Sequence, residues 1–208
     1  MSGITAWAGC TAQGSITFSA DNVAYPATLY LLGADRYRLD VTKPGGTEST
    51  VYNGSNAQFV APNGVASSLS SDIAVPGLLA FPRLLSAQYP TSNGIVADRG
   101  AVSLSGIALH RITLEDPSLD GLGSPWKTSD LYFNLMTGTL VRSVSFGHLS
   151  SSDAALYMIQ TTYDDYRSTG AISLPYLFTR RLNGTLQWSL QLTTIDLHVL
   201  PDPSLFAF

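Results

Sequence analysis

Charged side chains are scarce in this sequence: Asp, Glu, Lys and Arg make up 12% of its 208 residues, against 45% hydrophobic ones. That balance excludes an intrinsically disordered chain, because there is ample apolar surface to bury and little charge to keep it solvated. Basic residues are fewer than acidic ones, Lys+Arg 11 against Asp+Glu 15, and they form no stripe. Nucleic acid and anionic membrane surfaces are therefore not the expected partners. Long apolar runs are also missing; nothing approaches the ~18 consecutive apolar residues of a membrane-spanning helix.

Cysteine occurs once, at Cys10, so no internal disulfide can form and the redox compartment cannot be read from pairing. A lipid-bearing cysteine would need an apolar run and a basic leader before it, and residues 1–9 supply neither; Met1-Ser2-Gly3 leaves a removed targeting segment open. Histidine is nearly absent as well. His110, His148 and His198 are separated too widely for His-x-x-x-His, and no Cys/His ligand spacing exists, so no metal site is expected. Gly-x-Ser-x-Gly elbows, phosphate loops and dinucleotide glycine patterns are lacking, which removes the motif-borne enzyme classes and any expected cofactor. Asp164-Asp165 is the carboxylate pair that could suggest acid/base chemistry. Adjacent strand residues point to opposite faces, so the pair reads as a sheet-edge or turn feature, not an acid/base couple. No catalytic residue is assigned.

What the chain does have is alternation punctuated by turn residues. Ile16 and Phe18 alternate with Ser and Thr over 14–20, and 25–32 follows the Asp21-Asn22 turn as the return strand of a hairpin. Over 36–42, Tyr37, Leu39 and Val41 face one way, with Arg36, Arg38 and Asp40 facing the other. Strands over 48–52 and 56–60 flank Asn53-Gly54, a candidate type I′ turn. Further strands are expected over 100–105, 106–114, 130–135 and 139–146. Between 67 and 89 the alternation stops, and Leu78, Leu79, Leu84 and Leu85 take helical spacing, with Asp72 a cap, Pro76 in a first turn and Pro82 opening a second helix.

The last quarter, 156–208, is the strongest signal: a three-strand meander whose second turn, Asn183-Gly184, suits two residues at φ > 0. A regular two-residue loop puts Arg181 opposite Leu186, Thr179 opposite Trp188 and Leu177 opposite Leu190. Leu186, Trp188, Leu190 and Leu192 then alternate in one phase, and Ile195, Leu197 and Val199 in the other. A bulge at Thr193-Thr194 is predicted, since it alone keeps both sets on one face. The composite is a mainly β (α+β) domain over 1–208: a large, curved antiparallel meander of roughly ten strands with one or two short helices against it.

In that order, Arg-x-Arg and the Lys-Pro turn of 36–54 with Phe59 beyond, the Thr-Gly hairpin of 132–142, and 163–175 followed by Asn-Gly and the terminal Pro-Asp-Pro-x-x-Phe resemble the LolA-like outer-membrane lipoprotein carriers and their lipoprotein-sorting relatives. The likeness runs over the larger part of the chain. It implies an unclosed half-barrel, helices on its concave side and an apolar cavity for acyl chains. Residues 1–13 would then be either without order or a shortened N-terminal helix. The resemblance implies a periplasmic or otherwise extracytoplasmic, monomeric protein whose partners are lipid or lipoprotein acyl chains, with an envelope protein as a further partner. The candidate cavity residues are Leu29, Leu39, Phe59, Leu78, Leu79, Leu84, Leu85, Leu177, Trp188, Leu190 and Leu192; the same stripe also fits an ordinary core. A protein-interaction or envelope-sensor module on the same fold is the alternative, and a hydrolase, with only scattered Ser, His and Asp to draw on, ranks behind it.

Overall fold

The structure, a computed structural model, describes residues 8–70, 95–115, 128–149, 155–169 and 172–208. Turn residues divide these into strands β1 Gly9–Phe18, β2 Ala24–Leu32, β3 Arg36–Lys43, β4 Gly46–Tyr52, β5 Ala57–Val60, β6 Ala66–Leu69, β7 Ile95–Leu104, β8 Ile107–Glu115, β9 Thr128–Asn134, β10 Leu140–Gly147, β11 Tyr157–Thr169, β12 Ile172–Leu182 and β13 Thr185–Asp196. They form one antiparallel sheet in the order β6-β5-β4-β3-β2-β1-β13-β12-β11-β10-β9-β8-β7, which stays unclosed. The expected meander is there, with thirteen strands in place of roughly ten, and with β1 starting at Gly9, so 9–13 are strand and not a helix or an unordered arm. The helical expectation over 72–89 falls outside the described residues.

Asn183-Gly184 forms the expected two-residue turn, with φ 47° and 82° and Leu182 opposite Thr185. Asn53-Gly54 does not. Tyr52 pairs with Ala57, so the loop holds four residues, closed by Asn53 Oδ1 accepting from the backbone N–H of Ser55 and Asn56.

Two irregularities in β13 decide which side chains share a face. The ladder to β1 steps from Gln13↔Thr194 to Gly14↔Leu192, leaving Thr193 as the extra residue of a bulge. The expected bulge is therefore present, and Leu190, Leu192, Ile195 and Leu197 all belong to the buried cluster or pack on it. Toward β12 the register shifts at Arg180/Arg181, so Gln187 is an extra residue as well. The first expected pair, Arg181 with Leu186, holds. Beyond it every β12 residue moves by one: Arg180 faces Trp188, Phe178 faces Leu190, and Leu177 faces Gln191 instead of Leu190. A one-residue slip sends side chains to the opposite face, so Phe178 takes the place expected for Leu177.

The buried face, here called the inner face, carries Ile16, Leu29, Leu39, Tyr37, Tyr52, Tyr163, Phe178, Leu190 and Leu192. On the outer face of β3, Arg38 bridges Asp40 at 2.6 Å and donates to Ser49 Oγ and to the carbonyl of Leu205. That last bond holds a single-turn 3-10 helix, Pro203–Phe206, which Asp202 caps by accepting from Ser204 N–H and whose Phe206 is buried. The face of β3 expected to be wet is thus partly covered by the chain's own C-terminus.

Candidate functional site

Because cross-strand partners share a face, register lays the inner face out in rows. One row runs Leu39, Leu29, Ala12, Ile195 across β3, β2, β1 and β13. A second runs Tyr25, Ile16, Leu190, Phe178, Tyr163 across β2, β1, β13, β12 and β11. Tyr163 and Phe178 meet edge-on with ring centroids 5.8 Å apart. Together these rows make an apolar tract that crosses the middle of the sheet, where Leu190 is fully buried.

A third row changes character along its length: Phe18, Trp188, Arg180, Thr161, Ser143, Leu131, Ile112. Arg180 is 7% exposed. Burial pushes its guanidinium pKa down, while the nearby Tyr37 and Tyr163 favour the charged form. Ser143 and Tyr163 share a buried hydroxyl–hydroxyl hydrogen bond of 2.8 Å. The inner face therefore has a polar seam, Arg180, Thr161 and Ser143, beside its apolar tract. At the rim next to it, Lys43 lies 4.7 Å above the Phe18 ring and 2.7 Å from Glu48.

Of the residues singled out from sequence, Leu29, Leu39, Leu190 and Leu192 lie in the buried cluster, and Trp188 packs on it from the third row. Phe59 is half-buried at the far end, opposite Thr50 on β4. Leu177, opposite Gln191 and Asp164, is on the outer face. Leu78, Leu79, Leu84 and Leu85 lie outside the described residues. Sequence reasoning missed Ile16, Phe178, Tyr163 and above all Arg180. The alternation of β1 already marks Ile16; the other three depend on the bulge at Gln187, which leaves no trace in the hydrophobic pattern.

The polar groups weighed as catalysts have structural partners. Asp165, at φ 51° in the interior strand β11 and not at a sheet edge, receives hydrogen bonds from Arg167 and Gln191, which hold its carboxyl below the usual carboxylate range. His110 pairs with Asp98 at 2.8 Å, and His148 Nδ1 lies 3.0 Å from the Ala155 carbonyl. Among the described residues no three His, Cys, Asp or Glu side chains are grouped to hold a metal ion. A cavity of about 230 Å³ opens by β5 and β6, lined by Ser55, Asn56, Gln58, Ser68, Leu69 and Phe208. Its wall is mainly polar, and Ala57 and Leu69 tie it to the edge of the inner-face cluster.

No family model matches the sequence, and no curated protein does. Solved structures do match the fold. A protein domain assigned to outer membrane lipoprotein sorting, from Vibrio parahaemolyticus, superposes with a TM-score of 0.65 at 10% identity, covering 98% of this chain and 91% of that one. A LolA superfamily protein from Nitrosomonas europaea gives 0.62 at 15% identity, with coverage of 97% and 91%. A DUF1329 family protein from Desulfovibrio piger gives 0.61 at 10% identity, with coverage of 98% and 91%. The chain has the LolA-like half-barrel fold.

Proposed function

We propose that this protein is a non-catalytic, carrier-like binder that shields lipid or lipoprotein acyl chains on the inner face of its half-barrel. It works as a monomer without a cofactor, in the periplasm or another extracytoplasmic space, and exchanges its cargo with an envelope partner. The observation that carries this reading is the apolar tract through Leu39, Leu29, Ile16, Leu190 and Phe178 on one face of an unclosed sheet. The lipoprotein-sorting assignment of the Vibrio parahaemolyticus domain supports it. Phe59, Trp188 and Leu192 extend the wall, and Leu78, Leu79, Leu84 and Leu85 would add to it from the segment between β6 and β7. Leu177, on the outer face, drops out of the lining.

The chemistry is reversible burial. Each methylene leaving water contributes about 0.8 kcal/mol, so a long chain supplies ample affinity without a covalent step. The polar seam beside the tract suits a ligand with a polar end: Arg180 offers fixed positive charge, and Thr161 and Ser143 offer hydroxyls. Detergent-free protein examined by native mass spectrometry should carry acyl-chain mass that solvent removes, and the emptied protein should take up a fluorescent fatty-acyl probe. Leu192→Asp, which sets a carboxylate into the tract, should abolish uptake. Emptied, folded wild type that takes up no acyl probe would sink the proposal.

A further inference from the structure

The most exposed large apolar side chain among the described residues is not on the inner face. Met136 is 90% exposed, and Ile107 and Leu135 are 54% and 47% exposed. All three belong to two hairpin tips at one corner of the sheet. The β7–β8 turn is Ser105-Gly106, with φ 52° and 79°, and the β9–β10 turn is 135–139. The strands bearing them are neighbours, with Leu109 opposite Asn134, and the ladder runs on into the turn through Leu135 N–H donating to the Ala108 carbonyl at 3.3 Å.

We propose that this corner is a membrane-docking tip that enters the interface of a lipid bilayer of neutral headgroups. Neither 104–109 nor 134–140 contains a charged residue, whereas Asp21, Asp35 and Lys43 sit at or beside the turns of the first three hairpins. The amide N–H groups of the β9–β10 tip also find acceptors in the protein. Asn134 Oδ1 accepts from the N–H of Met136 and Thr137, and the Asn134 carbonyl accepts from Gly138 N–H. Asn134 N–H donates to the Thr139 carbonyl, and Thr139 N–H reaches Thr137 Oγ1 at 3.4 Å. A tip whose amides already have acceptors loses little when water is withdrawn, which is the condition for entering the headgroup region. Lacking basic residues, it draws nothing from anionic lipid, so the apolar side chains supply the attraction. A protein partner fits less well, since two turns offer far less than the ~800 Å² per side of a stable interface.

The site lies apart from the acyl-binding tract and stands or falls separately from it. Wild type should co-sediment with phosphatidylcholine vesicles, with binding unchanged between about 0.05 and 0.5 M salt. Met136→Asp and Ile107→Asp should each lower the partition at least ~10-fold, while Met136→Leu keeps it. Both aspartate variants place charge on exposed sites and should keep the wild-type circular dichroism and acyl-probe uptake. Equal vesicle binding by the aspartate variants, no binding by wild type, or binding seen only with anionic vesicles and lost in salt would each overturn the proposal. Lost acyl uptake with vesicle binding intact would instead strike the carrier reading alone.

Discussion

Cys10 lies on β1 opposite Leu31, with 2% of its surface exposed. Burial, with the charge of Asp196 adding to it, pushes the thiol up to about 12 from an ordinary 9.0. The folded protein thus holds the neutral thiol where an unfolded chain releases its proton. For a group whose folded value is raised, the stabilisation is complete below the unfolded value and is lost as pH rises through the folded one. Stability to urea should be flat below about pH 9 on this account and fall between about 9 and about 12; Cys10→Ala should flatten that fall, as denaturant midpoints at several pH values would record. The same burial predicts that a thiol reagent at pH 8 reacts only on unfolding. Single side chains are also where sequence is least legible. Cys10 reads as a small apolar residue and is one. Arg180 is charged and yet buried, because its face is set by a neighbouring strand's bulge and not by its own character.

At the scale of elements, the two bulges of β13 differ in legibility for a physical reason. Thr193 interrupts an apolar alternation, so the pattern itself demands a compensating extra residue. Gln187 lies between Leu186 and Trp188, where regular alternation hides the slip, and only the partner strand records it. The turns follow the same logic: Asn183-Gly184 is two residues because Leu182 and Thr185 pair, whereas Asn53-Gly54, equally suggestive in sequence, sits in a loop lengthened by Ser55 and Asn56. Glycine supplies a direct test of the β1–β13 bulge. A Cβ on Gly14 would stand 2.0 Å from the Gln191 carbonyl oxygen and 2.7 Å from Leu192 Cα, with backbone on both counts. Gly14→Ala should therefore cost roughly 3 kcal/mol or more by forcing the ladder apart, whereas Gly184→Ala, which meets nothing within 4 Å but keeps φ 82°, should cost about 1 kcal/mol. Comparable denaturation midpoints for the two would mean that the ladder yields at Gly14.

For the molecule as a whole, local hairpin signals sufficed to recover an antiparallel meander, and their order sufficed for the LolA-like resemblance. What local signals could not supply is which strands end up at the edges. Those are β6 and β7, neighbours in sequence and furthest apart in the sheet. Amide protection should follow this order: hydrogen exchange should be slowest in β1, β13 and β12 and fastest in β6 and β7. Uniform protection across the sheet would contradict it. The lining of the inner face was legible where it comes from β2, β3 and β13, and illegible where it comes from β11 and β12.

The sheet's order carries a kinetic consequence. Every ladder joins strands adjacent in sequence except one, β1 with β13, which joins residues about as far apart as the chain allows. The two meanders can form by short loop closures in either order, but the entropy of bringing the chain's ends together falls on that single seam. Refolding should therefore be governed by this late closure, with Ile16 and Leu190 meeting only after both halves have taken shape.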